Sequence, residues 1–548
     1  MQQNFRIFAH TINIVNNTTF PCEVVVENGK IVSIEPCNED LCSTYILPGF
    51  IDAHVHIESS LLVPSEFARM AVLHGMVGTV SDPHEIANVL GVKGVEYMLE
   101  DAAQVPFHFF FGAPSCVPAT QFETAGATLD VDAVNKLLLR SDIWYLAEMM
   151  NYPGVIQRDP DVMAKIAFAH QYHKPVDGHA PGLRGNDMKL YASAGIVTDH
   201  ECFTLDEAIE KINTGMIIQI REGSAARNFE ALHPLLKLHP EKVMFCSDDK
   251  HPDSLMEGHI NLLVKRALAL NYDLYDVLRA ASLHVRNHYK LPVGMLQVGD
   301  QADFIEIDHP NSFQILRTWI RGECVAENGK SNIKSVQPKI VNQFIEREID
   351  PTEIEITATE QPYISAIEAF EGQLITGSFK FPHGKKPGEK ITAFPKEDVL
   401  KIVVVNRYEN KPPAVAFIKN LGLKTGAFAS TVAHDSHNII AAGCDDEAIL
   451  KSIRLLMENK GGLAAVNESE HCVLPLPVAG LMSNLDAWKI ANEYIQIDQF
   501  VKEKLGSPLR APFMTLSFMA LLVIPELKLS DKGLFDGKNF RFCSPFVA

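Results

Sequence analysis

Eight short apolar runs of strand type alternate with helix-like stretches between residues 50 and 269, and this alternation constrains the fold more than any other feature. The runs are Phe50–His56, Val77–Ser81, Phe107–Phe111, Ile143–Met149, Pro175–His179, Ile196–His200, Met216–Ile220 and Lys242–Ser247. The helical stretches are Pro64–His74, Ile86–Asp101, Val131–Arg140, Asp161–His173, Met188–Ser193, Asp206–Asn213, Ala226–Leu238 and Leu255–Ala269. Asp161 and Asp206 suit first-turn positions, where a carboxylate complements the helix N-terminus. Strict alternation of strand and helix reads as α/β with a parallel sheet. Eight such units over about 240 residues suit a closed, TIM-like (β/α)₈ barrel. A doubly wound open sheet fits less well, because no strand is followed by a glycine-rich nucleotide loop.

The flanks differ in pattern. Thr11–Val15, Cys22–Glu27 and Lys30–Ile34 resemble short strands, with Asn28–Gly29 as a hairpin turn. The same style returns in Leu296–Asp308, Phe313–Gly322 and Glu323–Glu327, with Asn328–Gly329. The expected organisation is a small composite β-domain from residues 1–48 and 293–337, a barrel from 49–292, and a C-terminal α+β domain from 351–548. Pro338 to Pro351 reads as a boundary, and Phe381–Lys390 as an exposed basic loop.

Charge narrows the function. Lys and Arg number 49 against 68 Asp and Glu, a net of −19, which disfavours a nucleic-acid partner. The excess is uneven: residues 351–548 carry 21 basic and 23 acidic side chains, whereas residues 1–350 carry 28 and 45. The acidic half tolerates a bound cation or a neutral small molecule. No apolar run reaches the ~18–20 residues that span a bilayer, and the first twenty residues lack the pattern of a targeting segment. The ten cysteines include no C-x-x-C pair, as expected of free thiols in a reducing compartment. A soluble cytoplasmic enzyme without a membrane partner is the expectation, with homo-oligomerisation the expected state.

In a barrel of this kind the chemistry gathers at the C-terminal ends of the strands. Those ends carry His54 and His56, Asp82, Ser115, Glu148, His179, His200, Arg221 with Glu222, and Asp248. Residues two apart on a strand share a face, so His54 and His56 point together into the barrel mouth. His179 and His200 end consecutive strands. Either alone is an ordinary core histidine; four converging on one rim form a ligand set. Asp248 and Glu148 are acidic groups on apolar strands and need partners. A carboxylate has two oxygens, so Glu148 can bridge two cations. Four histidines and two carboxylates suffice for two divalent ions, which would lower the pKa of a shared water. The donor types leave Zn(II), Mn(II) and Fe(II) open.

Pro48-Gly49-Phe50-Ile51-Asp52-Ala53-His54-Val55-His56 resembles the first-strand motif of the amidohydrolase superfamily. That resemblance implies metal-dependent hydrolysis on a (β/α)₈ barrel with a composite β-domain. More narrowly, the chain resembles bacterial-type adenine deaminases. The resemblance rests on His56-Ile57-Glu58-Ser59-Ser60, Ser81-Asp82-Pro83-His84-Glu85-Ile86-Ala87-Asn88-Val89 and Glu148-Met149-Met150-Asn151. Asp177-Gly178-His179-Ala180-Pro181, Arg221-Glu222-Gly223-Ser224-Ala225-Ala226 and Ala433-His434-Asp435-Ser436-His437-Asn438 add to it. It implies hydrolysis of adenine to hypoxanthine and ammonia in purine salvage and adenine catabolism, with two Mn(II) or Fe(II) ions. Glu148 stands where many superfamily members carry a carboxylated lysine. The implied ligands are His54, His56, Glu148, His179, His200 and Asp248. A metal-activated hydroxide would attack C6, with Asp248 accepting its proton. His84, Glu85, Arg221 and Glu222 are candidates for purine contact or for protonating the ring. His434 and His437 either reach over the mouth, hold another metal, or pack within their own domain.

Other readings predict different residues. A cyclic amidohydrolase or an N-acetyl sugar deacetylase more often carries a bridging lysine and gives no reason for Pro83-His84-Glu85. A mononuclear purine deaminase would leave Glu148 a core carboxylate. A cytidine-deaminase-type zinc site needs a C-x-x-C that is absent. A non-catalytic assembly or regulatory barrel would be expected to have lost ligands.

Overall fold

The computed structural model describes residues 4–548. The eight expected strands are present as Phe50–His56, Met76–Ser81, His108–Ala113, Ile143–Met149, Val176–Gly178, Thr198–Asp199, Ile217–Arg221 and Val243–Cys246. Each pairs in parallel with the next, the fifth and sixth meeting through a Val176–Ile196 bridge. The eighth continues past Ser247 into Asp248–Asp249, which pairs in parallel with Val55 and His56 of the first. The pairing therefore returns to its start. The strands are buried almost throughout, which is why they read as near-continuous apolar runs.

The helices follow the expected positions, with three corrections. The Ile86–Asp101 stretch is two helices, His84–Leu90 and Val92–Ala102, broken at Gly91, whose φ of 63° lies in the left-handed region. The Leu255–Ala269 stretch divides into Pro252–Glu257 and Ile260–Ala269 about Gly258. The Ala226–Leu238 stretch holds only two single turns, Phe229–Leu232 and Leu235–Leu238.

An eight-stranded sheet draws Phe5–Asn13, Thr18–Glu27, Lys30–Pro36 and Tyr45–Pro48 from before the barrel. It draws Phe304–Ile307, Ile315–Ile320, Glu323–Glu327 and Lys330–Ser331 from after it. The two halves join where Tyr45–Pro48 pairs antiparallel with Phe304–Ile307. Asn28–Gly29 and Asn328–Gly329 turn with positive φ at both residues, as a two-residue hairpin requires. Strand structure in Leu296–Asp308 is confined to Phe304–Ile307.

Residues 334–350 run without helix or strand. Beyond them lies a nine-stranded mixed sheet with the helix Asp446–Glu458 packed on it. Phe381 and Pro382 end one of its strands, and the exposed stretch is residues 384–390. One apolar core runs from barrel residues such as Phe67 and Val80 to Leu476, Tyr494 and Phe513 of this region. Among the described residues no helix is long and apolar enough to cross a membrane.

Candidate active site

His54 and His56 project from the first strand with rings at 87° and Nε2 atoms 3.2 Å apart. The His56 Nδ1 lies 3.1 Å from the Asp82 carbonyl oxygen. A proton on Nδ1 donated there leaves Nε2 with its lone pair facing the barrel axis. Asp248 Oδ1 stands 3.6 Å from His54 Nε2 and 3.2 Å from His56 Nε2. Asp248 itself has φ 56°, a left-handed conformation that Asp tolerates better than most residues and that clusters at functional sites.

Glu148 divides its two oxygens. Oε1 is 3.3 Å from His56 Nε2, while Oε2 is 2.8 Å from His179 Nδ1 and 3.2 Å from His200 Nε2. All of these side chains are buried. Burial works to raise the carboxyl of Glu148, but the surrounding His179, His200 and His56 hold it well below the usual range. Asp248 is likewise opposed by burial and held low by Arg221 and the histidines.

The donor set fits divalent cations. His54–His56–Asp248 and His54–Glu148–His200 each bring their ligand atoms within 4.8 Å of one another, and so does His56–Asp82–His84–Glu148. Buried imidazole nitrogens and carboxylate oxygens that converge on one point are the donor arrangement a divalent cation takes. Imidazole with carboxylate suits Mn, Fe and Zn alike.

Outside this set, Arg221 donates to Asp248 Oδ2 at 2.6 Å and to both oxygens of Glu201. His84 places Nδ1 3.0 Å from Asp82 Oδ2 and 3.4 Å from Glu148 Oε1. Glu85 meets His434 Nδ1 at 2.6 Å and also contacts His437 Nε2. A small cavity opens over the cluster. Its wall includes His84, Glu85, Glu201 and Asp249 from the barrel and Leu374, His434, Asp435, Phe518 and Leu521 from the C-terminal region. Phe518 stacks on His434 with centroids 4.7 Å apart.

The structure thus gathers His54, His56, Glu148, His179, His200 and Asp248 into one cluster, and sets His84, Glu85 and His434 on the cavity wall. His437 stands behind Glu85. Two of the candidates for substrate contact lie off the cavity wall. Arg221 does not line the cavity; its guanidinium is spent on Asp248 and Glu201. Glu222 turns away to Arg266 and the Phe229 amide, because successive residues on a strand face opposite sides. Sequence reasoning gave no role to Glu201, Asp249 or Asp435. Glu201 and Asp249 adjoin ligand positions, which is a usable signal. Asp435 reaches the cavity only through the tertiary fold.

Comparison with known proteins agrees with this geometry. The amidohydrolase family model matches residues 45–325, and the adenine deaminase C-terminal domain model matches residues 373–541. An adenine deaminase of Sulfurovum sp. (strain NBC37-1) is 55% identical over 534 residues, 97% of this chain and 98% of that one. One from Salinibacter ruber is 52% identical over 548 residues, the whole of both chains. One from Methanosarcina barkeri is 49% identical over 544 residues, 98% of each. The chain belongs to the amidohydrolase family and, within it, to the adenine deaminases.

Proposed function

We propose that this chain hydrolyses adenine to hypoxanthine and ammonia with two divalent ions, Mn(II) or Fe(II), held by His54, His56, Glu148, His179, His200 and Asp248. The observation that carries the reading is the division of Glu148, one oxygen toward His56 and the other toward His179 and His200. When bound, such a pair supplies an acidified water and polarises the substrate.

The residues supply the rest. Asp248 is fixed by Arg221 through Oδ2, which leaves Oδ1 on the side of His54 and His56. It accepts the proton of the attacking water and returns it to the departing amine. Addition at C6 moves charge onto the ring, so a ring nitrogen must gain a proton; His84 and Glu85 are the candidates for this among the cavity-wall groups. The carbonyl of Asp82 keeps His56 in one tautomer. Water adds one oxygen and two hydrogens, and the products are hypoxanthine and ammonia. The reading includes the division into residues 1–48 with 293–337, 49–292 and 351–548. It also includes a cytoplasmic homo-oligomer acting in purine salvage.

The test is to reconstitute the protein with Mn(II) or Fe(II) and measure ammonia release from adenine beside adenosine, dihydroorotate and an N-acetyl sugar. Adenine turnover should fall at least about a hundredfold in Glu148→Gln, with metal content dropping below two per chain. Undiminished turnover in the variant would sink the bridge. Turnover of dihydroorotate or the sugar instead of adenine would replace the deaminase reading with a cyclic amidohydrolase or deacetylase.

A further inference from the structure

Asp435 enters the cavity from the loop between strands Ala427–Ser430 and Ile439–Gly443. It is buried on the wall beside His84, Glu85, His434 and Phe518. Every other carboxylate there is engaged. Glu85 holds His434 and His437, Glu148 faces four histidines, and Arg221 holds Asp248 and Glu201. Asp249 accepts from Ser59 Oγ at 2.5 Å. Asp435 Oδ2 has no hydrogen-bond partner. His84 Nε2 and His434 Nδ1 both stand 3.9 Å from Oδ1, beyond hydrogen-bond reach.

A buried carboxylate without a donor is costly, and burial pushes this one up to about 6. An N–H carried in by a ligand would supply the missing partner. His84 sets its location: Nδ1 is 3.4 Å from Glu148 Oε1, and Nε2 is on the Asp435 side. Asp435 therefore lies one imidazole ring beyond the ligand cluster. A purine whose C6 meets that cluster has its 6-amino group there, so the one other N–H of the free base, on the five-membered ring, is the donor left for the far wall. The free base carries an N–H on that ring; the nucleoside carries carbon on N9 and has none.

We propose that Asp435 accepts the five-membered-ring N–H of a free 6-aminopurine and so selects the base over its nucleoside. This rests on the adenine reading above and names the group that sets its substrate range. A site built to bond an N–H strongly rejects the analogue that lacks it, because its own polar group is then stranded.

The test uses the full chain loaded with Mn(II). Asp435→Leu, which removes the acceptor at similar size, should raise KM for adenine about 10- to 100-fold while kcat changes less than about threefold. Asp435→Asn, which keeps an acceptor oxygen, should recover part of that loss. In the parent, 9-methyladenine should compete at least about 100-fold more weakly than adenine binds, and in Asp435→Leu that gap should shrink below about tenfold. This ratio does not depend on the fraction of folded protein. An unchanged gap would overturn the assignment, since the cavity wall would then exclude N9 substituents without Asp435. A fall in kcat at constant KM would overturn it too, by placing Asp435 in the chemistry. A parent protein inactive on adenine would overturn the adenine reading and this assignment with it. Activity on adenine with an unchanged variant KM would overturn this assignment alone.

Discussion

Arg221 shows how one residue makes a dry acidic site tenable. Its side chain is 1% exposed and lies between Asp248 and Glu201, both almost fully buried. Burial disfavours the guanidinium, yet the two carboxylates hold its pKa above the ordinary value. Removing one partner of such a set strands the others, at about 3–5 kcal/mol. Arg221→Met should therefore lose about that much stability in urea unfolding of the metal-free protein. Arg221→Lys should lose less, because the ammonium keeps the charge but not the planar fork. A Met variant within about 1 kcal/mol of the parent would mean that the carboxylates find compensation elsewhere. The same residue marks the limit of sequence reading. Its place at a strand end was legible, but whether it faces substrate or neighbouring carboxylates depends on Glu201, which another strand end delivers. Glu222 is placed by a simpler rule, since strand alternation sends it outward whenever Arg221 points in. The four histidines were legible because period-two spacing and strand ends leave few places for them to go.

At the scale of elements, the strand Leu527–Ser530 carries a buried amine that braces the cavity roof. Lys528 Nζ donates to the carbonyls of Leu374 at 2.7 Å and Phe518 at 2.9 Å, and both residues line the cavity. Burial alone pushes its pKa down to about 7. The unfolded chain then binds more protons than the folded one between pH 7 and about 10.4. Stability should rise with pH through that window, with a slope from this group approaching about 1.4 kcal/mol per pH unit. Denaturation of the parent and of Lys528→Met at pH 7, 8 and 9 checks this, because the variant should lose that part of the slope. Equal slopes would show that Lys528 is charged in the folded protein. Nothing in the local sequence announces this amine; its acceptors lie on two separate segments. Tyr45–Pro48 escaped notice as a strand for a like reason, as its partner Phe304–Ile307 lies beyond the barrel. The eight barrel strands needed no distant partner to be seen, since burial on both faces writes itself as a short apolar run. The breaks at Gly91 and Gly258 were not seen because a glycine interrupts a helix without disturbing the apolar spacing on either side.

At the scale of the molecule, the C-terminal region is part of the site and shares the barrel's core. Ser436 Oγ donates to Glu123 at 2.6 Å, Asn438 to the Thr124 carbonyl at 2.8 Å, and the Thr124 amide to Asp531 at 2.9 Å. Tyr494 OH lies 2.6 Å from His251 Nδ1. The apolar cluster beneath these contacts is continuous from Phe67 to Phe513. Regions joined by one core open together, whereas regions joined by a thin polar contact open separately. Calorimetry should therefore show a single transition for barrel and C-terminal region. A ligand that binds only the folded state stabilises it by mass action, so loading with Mn(II) should move that whole transition upward. The barrel holds all six proposed ligands, and the shift reaches the C-terminal region only through the shared core. A chain ending at residue 350 should expose the barrel side of that core, bind an apolar dye and aggregate. Two transitions, with the C-terminal one indifferent to Mn(II), would show that the roof is docked rather than fused. Asp435 and His434 would then reach the cavity only in the docked state, and the activity would be lost at the temperature of undocking instead of the temperature at which the barrel melts.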